Sequence, residues 1–208
     1  MLTVYFVRHG QSRDNLERVH QGSKTPLSSL GKDQAEKIAQ RLSKHEIDHI
    51  FASPQKRAKE TAITISKHLK KPIEYWGDIK EMPNPTELVG LHYRHPKAQK
   101  IRKVIKKHEL QPDWKYSDEE SFNETKRRAI QVLKRLEKFR HDQTVVCVSH
   151  GSIMKLLMCL IIFGEKLTPL TFVNFQNGVK TNNTGLTKCI FSEKWGWSLI
   201  TWNDSSHL

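Results

Sequence analysis

Cysteine is scarce in this chain of 208 residues: Cys147, Cys159 and Cys189 are all there are, and no two stand in a CxxC pair. An odd, scattered set excludes a disulfide framework, and the expected compartment is the reducing cytoplasm. Long apolar runs are missing as well. The longest, Leu156 to Phe163, falls far short of the roughly 20 residues that cross a bilayer. The opening Met-Leu-Thr-Val-Tyr-Phe-Val has no basic leader and no small-residue cleavage site, so it reads as a strand and not as a signal segment. Neither GxxxxGK[ST] nor GxGxxG occurs, which removes nucleotide binding of those kinds. No repeat, low-complexity tract or linker breaks the chain, and residues 1–208 are read as a single domain.

Acidic residues are also short: 22 Asp and Glu stand against 35 Lys and Arg, a net charge of +13. That balance favours anionic partners. Almost half of it is local. Between His92 and Leu110 lie Arg94, Lys97, Lys100, Arg102, Lys103, Lys106 and Lys107 against the single acid Glu109. These cations are not interleaved with a stacking aromatic platform, and no nucleic-acid-binding motif is present, which argues against a basic nucleic-acid module. His92 and His95 have HxxH spacing but lack a clear third ligand, so no metal is expected.

What is there is an alternation of strand and helix. Leu2–Val7 reads as a strand ending at Arg8-His9-Gly10. A polar loop follows, then a helix capped by Ser28 with the stripe Ala35, Ile38, Ala39, Leu42. Ile47–Ala52 is a second strand, and Ser53-Pro54 reads as the cap and first position of a helix that continues through Ala58, Ala62, Ile65 and Leu69. Pro72–Trp76 is a short third strand. After a proline-containing loop at 82–96 come the basic helix, to about His108, and a long helix from about Ser117 to Arg140. Thr144–Val148 is a continuous apolar strand ending at Ser149-His150-Gly151, where a helix begins. Phe172–Gln176, Thr187–Phe191 and Ser198–Trp202 read as late strands, the last two as a hairpin. The expected fold class is therefore α/β: a three-layer α/β/α sandwich around a mostly parallel central sheet.

In such a sheet the carboxyl ends of the parallel strands share one edge, where ligands bind. Two histidines and two arginines, at Arg8-His9, Arg57 and His150, can therefore meet in one crevice. Guanidinium forks suit a phosphate face. One imidazole can attack phosphorus while the other donates to oxygens that gain charge. The helix after His150 brings its N–H groups, with Gly151 first. Everything there is electropositive, which favours phosphoryl over acyl transfer.

Val7-Arg8-His9-Gly10-Gln11-Ser12 with Asn15, and Pro26-Leu27-Ser28-Ser29-Leu30-Gly31 with Gln34-Ala35, resemble the opening of the histidine phosphatase superfamily, which includes the phosphoglycerate-mutase-like enzymes. Ala52-Ser53-Pro54-Gln55-Lys56-Arg57-Ala58 resembles its second block and Val148-Ser149-His150-Gly151 its third. Glu120-Ser121-Phe122 and His207-Leu208 are similar as well, so the likeness spans the chain. The resemblance implies a phosphoglycerate-mutase-like fold and no metal or organic cofactor. It implies His9 as a nucleophile that forms a phosphohistidine, with Arg8, Arg57 and His150 on the phosphoryl oxygens. Asn15 and the loop at Gln21-Gly22 would line the pocket. A carboxyl group must protonate the leaving alcohol and later activate water. The family places it after the third strand, which suits Glu81; Glu74 and Glu87 are rivals, because Pro83-Asn84-Pro85 replaces the usual continuation.

The segment 82–125 is expected to form a lid that sets specificity, with Trp76, Tyr93, Trp114 and Tyr116 near the mouth, where they shape it or, for most of them, pack in the core or lid. The reading is a metal-independent phosphomonoester hydrolase acting on a small phosphorylated metabolite. Its alternatives are a phosphoglycerate-type mutase or a non-enzymatic basic binding module. A small-molecule partner is expected and a membrane is not; homo-oligomerisation is left open.

Overall fold

A computed structural model describes residues 1–208. Six strands form one sheet: β1 (Leu2–Arg8), β2 (His49–Ala52), β3 (Ile73–Tyr75), β4 (Thr144–Ser149), β5 (Leu186–Ser192) and β6 (Gly196–Asp204). Their spatial order is β3-β2-β4-β1-β5-β6. The first four run parallel; β5 and β6 close the far edge as an antiparallel hairpin. The helices are α1 (Arg13–Glu17), α2 (Ser29–Leu42), α3 (Lys56–Leu69), α4 (Pro96–His108), α5 (Phe122–Leu136), α6 (Gly151–Phe163) and α7 (Pro169–Gly178).

The strands' period of two divides the core into two layers. Tyr5 and Val7 of β1 and Val146 and Val148 of β4 pack with Ile38, Ala39 and Leu42 of α2 and Ala58, Ala62 and Ile65 of α3. The alternate residues, Val4, Phe6, Val145 and Cys147, pack on the other side with Val132 and Leu136 of α5 and Leu156, Leu157 and Leu160 of α6. No helix is long and apolar enough to cross a membrane.

Four local expectations differ from the structure. Phe172–Gln176 is not a strand: it lies in α7, which Thr168 caps from its hydroxyl and Pro169 enters. The apolar composition alone could not separate the two states. The long helix is shorter than 117–140, because the Ser121 hydroxyl accepts from the Glu124 N–H while the Glu124 carboxylate accepts from the Ser121 N–H, a capping box that fixes its start. Ser53-Pro54 does not open α3. The helix starts at Lys56, and the Ser53 hydroxyl is engaged elsewhere. The loop after His9 is not wholly irregular, since Ser12 and Asn15 form a second capping box that nucleates the short α1.

Candidate active site

Two glycines bring the first strand's end against α2. A Cβ on Gly10 would lie 2.3 Å from the Gly31 carbonyl oxygen, and one on Gly31 would lie 1.9 Å from that of Gln11. Only glycine allows that approach. Behind it, the Gly10 N–H donates to the Thr61 hydroxyl at 3.0 Å, the His9 N–H to the Ser149 carbonyl at 3.0 Å, and Asn183 Nδ2 to the His9 carbonyl at 2.9 Å. His9 is thus held from three elements before its ring makes any contact.

The His9 ring is 1% exposed. Its Nδ1 lies 2.7 Å from the Gly10 carbonyl, which can only accept, so Nδ1 carries the proton. Nε2 then keeps a lone pair, into which Arg57 Nε donates at 3.1 Å. Burial, reinforced by Arg57 and Arg8, holds the imidazole well below its ordinary pKa, so it is neutral at neutral pH. The His150 ring lies 5.1 Å from that of His9, centroid to centroid, and is fully buried. Burial, then Arg57, keeps it neutral too. The Gln55 N–H donates to the Ser53 hydroxyl at 3.3 Å, and Ser53 Oγ meets His150 Nε2 at 2.8 Å. His150 Nδ1 is a buried nitrogen without a protein partner, and it carries the proton in the tautomer in which Ser53 donates to Nε2.

Arg57 is 2% exposed and spread over three acceptors: His9 Nε2, the Gly22 carbonyl at 2.8 Å and Gln55 Oε1 at 2.9 Å. Burial lowers its pKa to about 10, which still leaves a cation. Arg8 donates from one Nη to the Thr181 carbonyl, while its buried Nε has no partner. Asn15 accepts from the Ser12 N–H through Oδ1 and has its Nδ2 donors to spare.

Glu81 sits where strand end and helix start meet. The Ile79 carbonyl accepts from the Ser149 hydroxyl at 2.8 Å, and Arg128 donates to the carbonyls of Asp78 and Lys80 while pairing with Glu120. So anchored, the Glu81 carboxylate accepts from the N–H groups of Ser152 at 3.2 Å, Ile153 at 3.0 Å and Met82 at 3.0 Å. A carboxylate at the positive end of α6 is well placed.

These groups border an open cavity of about 530 Å³, lined by Arg8, His9, Asn15, Gln21, Arg57 and Glu81 among others. His150, Gly22 and Gly151 stand just behind its wall: His150 beside His9, Gly22 behind Arg57, and Gly151 next to the lining residue Ser152. Glu74 is on the outside with Trp76 and Arg135, and Glu87 is exposed near Lys97. Neither rival lines the cavity. Trp76 is not at the mouth: it is 1% exposed and stacked on Phe51 in the core. Tyr116 packs on the small cluster of Leu88, Ala98 and Ile101. His95 caps α4 and His92 accepts from the Arg94 N–H, which gives the HxxH pair a local backbone role. Sequence reasoning missed His20, Gln55, Asn84 and Ser152 as lining residues. Only the Gln55 signal, two residues before Arg57, was available in the chain.

Residues 4–205 match the family model described as the histidine phosphatase superfamily, branch 1. The chain belongs to that superfamily, and its class of activity is phosphatase. It is 29% identical over 171 residues to phosphoserine phosphatase 1 of Hydrogenobacter thermophilus, covering 78% of this chain and 77% of the relative. It is 29% identical over 212 residues to phosphoglycerate mutase-like protein 4 of Arabidopsis thaliana, covering 99% and 86%. Among solved structures, the phosphoserine phosphatase of Entamoeba histolytica in complex with phosphoserine superposes with a TM-score of 0.82 at 27% identity over 100% of both chains.

Proposed function

We propose that the protein hydrolyses phosphomonoesters of small metabolites without a metal, through a phosphohistidine on His9. The observation that carries this is the His9 tautomer: a neutral, buried imidazole whose Nε2 lone pair accepts from Arg57, in a cavity that Arg8 also lines and that opens to solvent.

An incoming phosphoryl group displaces the Arg57 Nε–H from Nε2 and takes that donor, together with Arg8, onto its own oxygens. His9 Nε2 attacks phosphorus and the bond to the ester oxygen breaks. Glu81, protonated, gives its proton to the departing alcohol. His150 Nδ1–H donates to an equatorial oxygen as charge builds there, and the Asn15 amide holds another. In the second half, Glu81 takes a proton from water, the resulting hydroxide attacks phosphorus, and the phosphorus–Nε2 bond breaks. The enzyme returns to its starting protonation state with one ester hydrolysed.

The test is phosphate release from a panel of esters in EDTA, with His9→Ala beside the wild type and samples quenched in alkaline SDS assayed for an acid-labile, base-stable phosphoprotein. Release that vanishes in the variant, with a trappable phosphoenzyme only in the wild type, supports the reading. Release that persists in His9→Ala overturns it. Isomerisation of a phosphoglycerate without net release would make the protein a mutase instead.

A further inference from the structure

Beyond the phosphoryl cradle, the cavity mouth carries polar groups that the proposed reaction does not use. His20 lines it, is 4% exposed, and has an Nε2 with no hydrogen-bond partner. A buried imidazole nitrogen left unpaired costs free energy and asks for a ligand. Its position is built, not incidental. The His20 N–H donates to the Leu91 carbonyl at 3.0 Å, and the Gly90 N–H donates to the His20 carbonyl at 2.9 Å. Tyr93 presents its ring edge-on at 4.8 Å. Two strands of loop, one from each side of the mouth, are laced together around this imidazole.

Arg102 faces the same space. Of the cations on α4 it alone lines the cavity, and it makes no hydrogen bond and no ion pair. Burial first, then Arg102, holds the His20 imidazole below its ordinary pKa, against a hydrogen bond with the Asn84 side chain. The only carboxylate in the lining, Glu81, is committed to the N–H groups at the start of α6. Arg102 also borders a second chamber of about 270 Å³ beyond Met82, Pro83 and Asn84, walled by Trp114, Phe122 and Phe172 and by Glu109, Glu119 and Glu120, none of which pairs with it. A solvent-exposed guanidinium with no ion pair and a buried imidazole whose Nε2 has no partner border one cavity, a positive, donor-bearing mouth suited to an anion.

We propose that His20, Tyr93 and Arg102 bind a second anionic group of the substrate, so that the preferred ester carries a carboxylate or a further phosphate on its alcohol half. This rests on the phosphomonoesterase reading above. Arg102 is the specificity-determining residue: it meets the second anion with a fork of donors, and the His20 and Tyr93 side chains complete the shell.

Two matched pairs separate the sources of that anion: 3-phosphoglycerate against glycerol 3-phosphate for a carboxylate, and fructose 1,6-bisphosphate against fructose 6-phosphate for a phosphate. The readout is the ratio of kcat/KM within each pair. The wild type should favour the doubly anionic member of one pair by about tenfold to a hundredfold, the range of one charge-assisted contact. Arg102→Gln should collapse that ratio toward one, Arg102→Lys should restore part of it, and Lys103→Gln, the same loss of charge on an exposed neighbour, should leave it intact. No preference in either pair, or a ratio that survives Arg102→Gln, overturns the proposal. Equilibrium binding of the same four ligands to wild type and Arg102→Gln reads the same ratio independently of turnover. A protein that binds with the expected preference but releases no phosphate would sink the hydrolase reading and keep the subsite.

Discussion

At the scale of single residues, the site is a matter of which nitrogen carries which proton. The Gly10 carbonyl decides it for His9, whereas the Ser53 hydroxyl, which can donate or accept, fits either tautomer of His150. The proposed division of labour between Glu81 and His9 makes a sharp expectation. An aryl phosphate with an acidic phenol leaves without help, whereas an alkyl phosphate needs a proton. Glu81→Gln should therefore slow the first half-reaction on alkyl esters by about 10²–10⁴ and on a nitrophenyl ester far less. Single-turnover burst kinetics on the two esters would show it. Equal losses on both would mean that Glu81 only holds the start of α6.

At the scale of elements, the close approach of the His9 loop to α2 is the joint that fixes the nucleophile. Gly31 lies inside α2, where alanine by propensity alone would stabilise the helix by roughly 1 kcal/mol. The contact predicts the opposite sign. A methyl at Gly31 would press on the Gln11 carbonyl at 1.9 Å, a backbone atom that cannot swing away. Gly31→Ala should lose about 1–3 kcal/mol, read as a lowered urea midpoint with unchanged slope, and a gain would show the joint to be loose.

The same elements show what a sequence exposes and what it hides. Arg8 and His9 were legible because they are adjacent at a strand end, and Arg57 and His150 because their strands run parallel to the first. Helices α2, α5 and α6 were legible from their apolar stripes. Ser53-Pro54 looked like a helix cap because the same serine chemistry that satisfies a helix N-terminus can also orient an imidazole 97 residues away. Phe172 lies in a short apolar segment whose composition fits strand and helix equally. The pairing of His20 with Arg102 had no local signal, since it depends on how the Val89–Tyr93 loop folds back over residues 18–20.

At the scale of the whole molecule, a net charge of +13 gathered on one chain raises the local concentration of anionic esters, and the two buried histidines give the fold a pH limit. His9 faces Arg57, Arg8 and the His150 ring, and His150 faces the same arginines and His9, so each is held neutral when folded. Unfolded, both protonate near the ordinary imidazole pKa of about 6.5. The unfolded chain then binds more protons than the folded one, so this stability is present above that pH and is lost as pH falls below it. Each histidine removes up to about 1.4 kcal/mol per pH unit in that window. Urea midpoints should decline as the pH falls from about 6.5, ahead of the carboxylate range; a flat profile down to about pH 5 would show the rings to be solvated.

The order of the sheet adds a constraint in time. β1 is made first, yet its two neighbours are β4 and β5, which begin at Thr144 and Leu186. A nascent chain of its first two-thirds has β2 and β3 to pair with each other while the strand bearing His9 has both edges bare. Such a strand is sticky, and its exposure lasts as long as synthesis of the final third. The ribosome therefore releases no half-active enzyme. Until β4 emerges the nucleophile lacks its partner histidine, until Asn183 follows it lacks that clasp, and until the last hairpin is made β1 keeps one edge bare, so anything that stalls translation late in the chain leaves a chaperone's client and not a weak phosphatase.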